Sequence, residues 1–124
     1  MNIIGGEKRG SKLALCASKA VRPTAQRTRE ALFNILQGGR FSLSLSEATV
    51  IDLFAGTGAI GLEALSRGAR SCVFVEQDQD ALQTLQANIS KLKLEDCAHI
   101  LAKDARQIHC LLYTSPSPRD IPLS

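Results

Sequence analysis

An α/β fold built on a parallel sheet is what this 124-residue chain predicts. Three observations carry it. Short β-rich runs recur at 49–54, 72–75 and 99–102. Segments with helical apolar spacing separate them. Glycines and carboxylates gather where the runs stop.

Residues 2–15 read as a small hairpin with a glycine turn near Arg9-Gly10. Pro23-Thr24 opens a helix with Thr24 as its N-cap, and Ala31, Leu32, Ile35 and Leu36 form its apolar stripe. Gly38-Gly39 ends it. Residues 41–47 alternate apolar side chains with serine, as either a strand or a short docking turn. Residues 49–54, TVIDLF, make the first clear strand, which stops at Ala55-Gly56-Thr57-Gly58. A helix follows through Leu62, Ala64 and Leu65, and Gly68 stops it. Cys72–Val75 is the second strand, ending at Glu76. Asp78 caps a third helix whose apolar face is Ala81, Leu82, Leu85, Ile89 and Leu92. His99–Ala102 is the third strand, ending near Asp104. Strand–helix–strand–helix–strand with short joints requires right-handed crossovers, hence the first half of a Rossmann-like sheet.

Charge is unevenly placed. Residues 1–40 carry eight Lys and Arg against Glu7 and Glu30, a net +6 that leaves −3 for the other 84 residues of the +3 chain. A basic arm on a mildly acidic body fits a polyanionic partner, although a solvated basic surface gives the same count. Cys16, Cys72, Cys97 and Cys110 form no C-x-x-C pair, so reduced thiols in a cytosol are expected and no metal site is. No apolar run is long enough for a membrane helix, and the N-terminus lacks a secretory signal pattern. With no tryptophan and 4% aromatics, a stacking platform for single-stranded RNA is not the main device.

In an open parallel sheet, ligands bind beyond the carboxyl ends of the strands. Here those ends hold 52–58, Glu76 and Asp104. Gly56-Thr57-Gly58-Ala59-Ile60-Gly61 is G-x-G-x-x-G between a strand and a helix, the context that raises a nucleotide-type ligand above a merely tight turn. Glu76, 20 residues beyond Gly56, can accept both hydroxyl hydrogens of a ribose; the alternative is a helix-capping or solvated glutamate. Asp52 decides between ligands. A pyrophosphate would be repelled by it, whereas the cationic amino-acid end of S-adenosylmethionine is suited to it. Asp104 can accept from an adenine amine, or serve as a surface turn carboxylate.

The segment 52–64, DLFAGTGAIGLEA, resembles motif I of class I methyltransferases in the form used on nucleic-acid amines. Met1-Asn2-Ile3-Ile4-Gly5-Gly6, with Arg9-Gly10 and Lys12-Leu13, resembles the opening of bacterial 16S ribosomal RNA guanine-N2 methyltransferases. So does 22–36, RPTAQRTREALFNIL, while Val73–Glu76 and Ala87-Asn88 fit the next two elements. The likeness covers about residues 1–107. It implies an incomplete class I methyltransferase fold, the first three strands of the parallel sheet, with an N-terminal hairpin-plus-helix extension. It further implies that Asp52, Phe54, Ala55, Gly56, Thr57 and Gly58 bind S-adenosylmethionine, that Glu76 holds its ribose and that Asp104 lies near its adenine. Arg22, Arg27 and Arg29 become candidates for RNA phosphate contacts. Arg22 or Arg29 pinning the N-terminal helix by pairing with Glu30 or another carboxylate is the equal alternative.

The resemblance assigns 1–40 to a basic RNA-contacting extension, 41–107 to the N-terminal half of the cofactor domain, and 108–124 to a tail outside the family that is expected to be disordered or artefactual. The implied partner is 16S ribosomal RNA or a small-subunit assembly particle, met in the cytoplasm, the full-length protein being a monomer. The family's catalytic Asn- or Asp-Pro-Pro-aromatic tetrapeptide is absent from these 124 residues, so no catalytic residue is assigned. The stretch 110–120 reads as translated adaptor or vector sequence, with a natural lineage-specific tail as the alternative. Without later strands, Val50, Ile51 and Leu53 are expected to line an uncovered sheet edge, and the chain to be poorly stable and inactive. A nicotinamide-dependent oxidoreductase using the same glycines, and a non-catalytic RNA- or cofactor-binding fragment, are the competing functions.

Overall fold

A computed structural model describes residues 1–15, 26–37, 45–106 and 120–123. Arg22, the Pro23-Thr24 helix start, Gly38-Gly39, most of 41–47, Cys16 and Cys110 lie outside the described residues. Helix α1 spans Gln26–Gln37. Strand β1 (Thr49–Asp52), α2 (Ala59–Ser66), β2 (Ser71–Val75), α3 (Gln79–Lys91) and β3 (Ala98–Leu101) then alternate as expected, and β4 is Asp120–Leu123. All strand pairs are parallel, in the order β3-β2-β1-β4. β1 ends earlier than its β-rich run because Leu53 and Phe54 turn, leaving Asp52 as the last strand residue, opposite Phe74.

The expected bare edge at β1 is corrected by β4. Val50 pairs with Ile121 and Asp52 with Leu123, so β1 becomes an inner strand. Two short β-rich residues around Pro122 gave little periodic signal. Their placement agrees with proline's lack of an N–H, which confines it to an edge strand such as β4.

Helix α2 lies at the centre. All eight of its residues are buried, between the sheet and the N-terminal segment. Gly61 permits the sheet-side contact: a Cβ there would stand 2.3 Å from Phe74 Cε1 and 2.7 Å from Cys72 Sγ. Both neighbours are themselves fully buried and have no free direction to give. Gly61→Ala is therefore expected to lower unfolding stability by about 1–3 kcal/mol, measured by urea titration.

The other side of α2 receives the hairpin. Asn2 bridges Lys12 antiparallel, with Ile3 N–H donating to the Ser11 carbonyl at 2.9 Å and Leu13 N–H to that of Met1 at 2.8 Å. The turn at Gly6 (φ +78°) approaches the last turn of α2 so closely that a Cβ would fall 1.8 Å from the Ser66 carbonyl oxygen. Ser66 Oγ donates to the Gly5 carbonyl at 2.6 Å and accepts the Lys8 N–H at 2.9 Å. Ile3, Leu13 and Phe33 thereby join Val50, Leu62, Phe74 and Leu85 in one core.

The face of α1 differs from the expected stripe. Ile35 is 57% exposed and Ala31 is exposed, while Arg29 and Phe33 are buried, with Leu32 and Leu36 half-buried beside them. The reason is electrostatic. Arg29 turns inward to Glu63 of α2, its Nε 3.2 Å from Oε1, and Phe33 one turn on lies under the Arg67 guanidinium, 4.9 Å from the ring centre. An apolar count alone could not show which face a distant carboxylate would claim.

Candidate cofactor site

The carboxyl ends of β1, β2 and β3 converge on one rim. The glycine turn there is held from several directions. Ala55 N–H donates to the Val75 carbonyl at 3.1 Å, and Gly58 N–H to that of Ala55 at 2.8 Å. Gly56 (φ +56°) and Gly58 (φ +88°) take left-handed backbone. At Gly58 a Cβ would also meet Leu85 Cδ1 at 2.4 Å, so both conformation and space demand glycine. The turn delivers the chain into the first turn of α2, where Gly58 is the N-cap.

Asp52 sits beneath this turn, 1% exposed. Its Oδ2 accepts the Gly61 N–H at 3.3 Å, a long bond, and its buried Oδ1 has no hydrogen-bond partner among the described residues. Burial pushes the carboxyl up to about 7, against backbone N–H groups of Gly61 and Phe54 that lower it; the Glu76 charge adds to the rise. The Thr57 hydroxyl is likewise buried, with no hydrogen-bond partner among the described residues. A buried acceptor without a donor is costly unless something supplies one, so this corner could take a ligand that donates or carries positive charge. Phe54, 69% exposed, stands on the rim beside it, and Ala55 is buried in the turn.

Glu76 is at the end of β2, as expected, but its carboxylate first serves the chain. Oε1 accepts the Gly56 N–H at 2.8 Å, and Oε2 accepts those of Gln77 and Asp78 at 3.1 and 3.0 Å. This ties the glycine turn to the β2–α3 joint. Three donors leave acceptor capacity on both oxygens, so a diol is compatible with the bracing role. The capping of α3 falls to Asp78, whose Oδ2 accepts the Ala81 N–H at 2.9 Å. Asp104 follows β3 and is engaged by Arg106, with Oδ2 2.6 Å from Nη2; those hydrogen bonds hold its carboxyl down at about 2.

The candidate RNA residues separate. Arg27 is exposed on α1. Arg29 is not available to a phosphate: it is fully buried, paired with Glu63 and donating to the Asn2 carbonyl. Of the alternatives, Arg29 pins the helix by pairing with a carboxylate other than Glu30, Glu63 on α2. Burial lowers the Arg29 pKa, and the Glu63 charge draws it back up.

Two site-shaping residues escaped the sequence-based assignment of roles. Glu63 is fully buried and accepts from Ile4 N–H, Gly5 N–H and Arg67 Nε at 2.9, 2.9 and 2.8 Å. Asn88 is fully buried on α3 and reaches the glycine turn, its Nδ2 donating to the Thr57 carbonyl at 2.9 Å. Their signal was a lone polar residue at a position that helical spacing assigns to an apolar face.

A parallel sheet with crossover helices, a glycine turn and carboxylates on successive strand ends is a partial Rossmann-like fold, and solved structures place it with the class I methyltransferases. The solved structure of a candidate methyltransferase of Escherichia coli, yhhF, superposes with a TM-score of 0.74 at 37% identity, over 87% of this chain and 55% of that one. The chain belongs to the family described as conserved hypothetical protein 95, which matches residues 1–117. It is 39% identical over 114 residues to the candidate rRNA methyltransferase YlbH of Bacillus subtilis, covering 88% of this chain and 57% of the relative. It is 44% identical over 93 residues to ribosomal RNA small subunit methyltransferase D of Escherichia coli K12, covering 75% and 44% respectively. The chain thus spans about half the length of the curated relatives it matches.

Proposed function

We propose that this chain carries the cofactor-binding half of an S-adenosylmethionine-dependent methyltransferase whose substrate is the exocyclic N2 amine of a guanine in 16S ribosomal RNA. The observation that carries this reading is Asp52: a buried carboxylate with one oxygen unpartnered among the described residues, beneath a glycine turn. With Glu76 braced on the same turn, two negative charges favour a cationic ligand and oppose a pyrophosphate. When bound, S-adenosylmethionine supplies a methyl group activated by a sulfonium.

Asp52 pairs with the positive amino-acid end of that ligand, and its own desolvation cost falls as it does so. The turn at Phe54, Ala55, Gly56, Thr57 and Gly58 presents its backbone to the ligand, closest at Gly56, which has no Cβ to hold it off. Glu76 accepts from the ribose hydroxyls with the lone pairs its backbone donors leave, and Asp104 lies toward the adenine. Arg22 and Arg27 contact RNA phosphates from the basic 1–40 extension, while 41–107 form the cofactor half. Residues 108–124 add no family catalytic motif: the Asn/Asp-Pro-Pro-aromatic tetrapeptide is absent from the sequence. This 124-residue chain therefore binds without turning over. The full-length enzyme works as a cytoplasmic monomer on the RNA or an assembling small subunit.

Calorimetric titration of the chain with S-adenosylmethionine and, separately, with NAD tests the reading. Saturable heat with the sulfonium compound and none with NAD is expected. Heat with NAD alone, or with neither, overturns it.

A further inference from the structure

The amide of Asn88 joins two parts of the molecule that the proposed function uses separately. On one side its Oδ1 accepts the Ala14 N–H at 2.7 Å and its Nδ2 donates to the Ala14 carbonyl at 3.2 Å. On the other side Nδ2 donates to the Thr57 carbonyl at 2.9 Å. Both amide hydrogens and the oxygen are engaged, with the side chain fully buried. Ala14 belongs to the basic N-terminal extension, and Thr57 to the turn over Asp52. The Thr57–Gly58 peptide is planar, so its carbonyl and its N–H point opposite ways. Asn88 holds the carbonyl end, and the Ala55 carbonyl holds the N–H end at 2.8 Å. Ala14 makes two of the three bonds that fix the Asn88 amide, so freeing Ala14 lets that amide turn and loosens one of the two anchors of the peptide that gives the turn its shape.

We propose that Asn88 is a positioning residue that makes the extension at Ala14 and the glycine turn at Thr57 open and close as one unit. Ligand occupancy at the turn and seating of the extension on RNA are then coupled through one side chain. Such coupling is reciprocal: whatever orders the turn favours the ordered extension by the same factor. The ligand half rests on the cofactor reading above; the mechanical half does not.

Amide hydrogen exchange on the full chain separates them. Without ligand, Asn88→Ala is expected to speed exchange at both Ala14 and Gly58 at least fivefold beyond any change at Cys72. The Cys72 N–H, bonded across the sheet to Cys97 at 2.8 Å, reports global stability. Should that variant not fold, Ala14→Pro removes the donor to Asn88 without touching α3, and faster exchange at Gly58 relative to Cys72 is the expected result. Equal acceleration at all three amides, or an unchanged Gly58 in Ala14→Pro, overturns the coupling. With S-adenosylhomocysteine, exchange at Gly56 and Ala14 should both slow in the native chain, and at Gly56 alone in Asn88→Ala. Slowing at Ala14 that survives Asn88→Ala also sinks the inference. A native chain in which Gly56 ignores the ligand counts instead against the cofactor reading, with the ligand-free comparison still deciding the coupling.

Discussion

Asp52→Asn is expected to make the ligand-free chain more stable at pH 8 while weakening its grip on S-adenosylmethionine. The carboxyl's pKa is raised by burial to about 7 from 3.8. Between those values the native state holds a proton that the unfolded chain releases, so stability falls as pH rises through that window and levels off above it. At 1.36 kcal/mol per pKa unit the whole fall is up to about 4 kcal/mol. Asparagine keeps an oxygen for the Gly61 N–H and carries no charge to desolvate, so its stability should stay flat where Asp52 declines. The two chains should match near pH 4 and diverge toward pH 8, which urea titrations at a series of pH values will measure. Identical pH profiles would mean that Asp52 carries no such burden.

The same substitution removes the buried charge beneath the turn. Truncating one partner of a buried charge pair costs about 2 kcal/mol or more, a loss of roughly 30-fold in affinity. In the native chain, affinity for the cationic ligand should rise with pH up to about 7 as Asp52 ionises, and calorimetry at pH 6 and pH 8 reads it directly. A stabilised variant that still bound tightly would place the cation elsewhere on the rim.

How far the sequence reveals this molecule depends on whether the decisive partner is near in the chain. The β1–α2–β2–α3–β3 alternation was legible because β-rich runs and helical spacing are local, and so was the glycine turn, whose residues are consecutive. Asp52 and Glu76 were placed correctly at strand ends for the same reason. The face of α1 was not legible, since Arg29 is drawn inward by Glu63, 34 residues away. Nor could spacing show that Glu76 would brace Gly56, or that Asn88 would span Thr57 and Ala14, because those bonds exist only once three elements have packed. β4 escaped for a different reason: a four-residue parallel edge strand containing Pro122 has no period long enough to detect.

Glu63→Ala is expected to have the largest effect on folding of any single change in the N-terminal half. Both partners of the Arg29–Glu63 pair have fully buried side chains. Removing the carboxylate leaves a buried guanidinium whose remaining described contact is the Asn2 carbonyl, and it frees the Ile4 and Gly5 N–H groups. Breaking a buried pair in this way costs about 3–5 kcal/mol. Domains carry only about 5–15 kcal/mol in total, so the variant should be partly or wholly unfolded. Arg29→Met should cost less, because Glu63 keeps Arg67 and two backbone donors. The double variant Arg29→Met with Glu63→Met, which buries no lone charge, should be more stable than Glu63→Ala alone. Urea midpoints of the three chains rank these cases. A Glu63→Ala chain within about 1 kcal/mol of the native one would show that the guanidinium finds water or another carboxylate, and that packing around Ile3, Leu13 and Phe33 suffices to hold the extension.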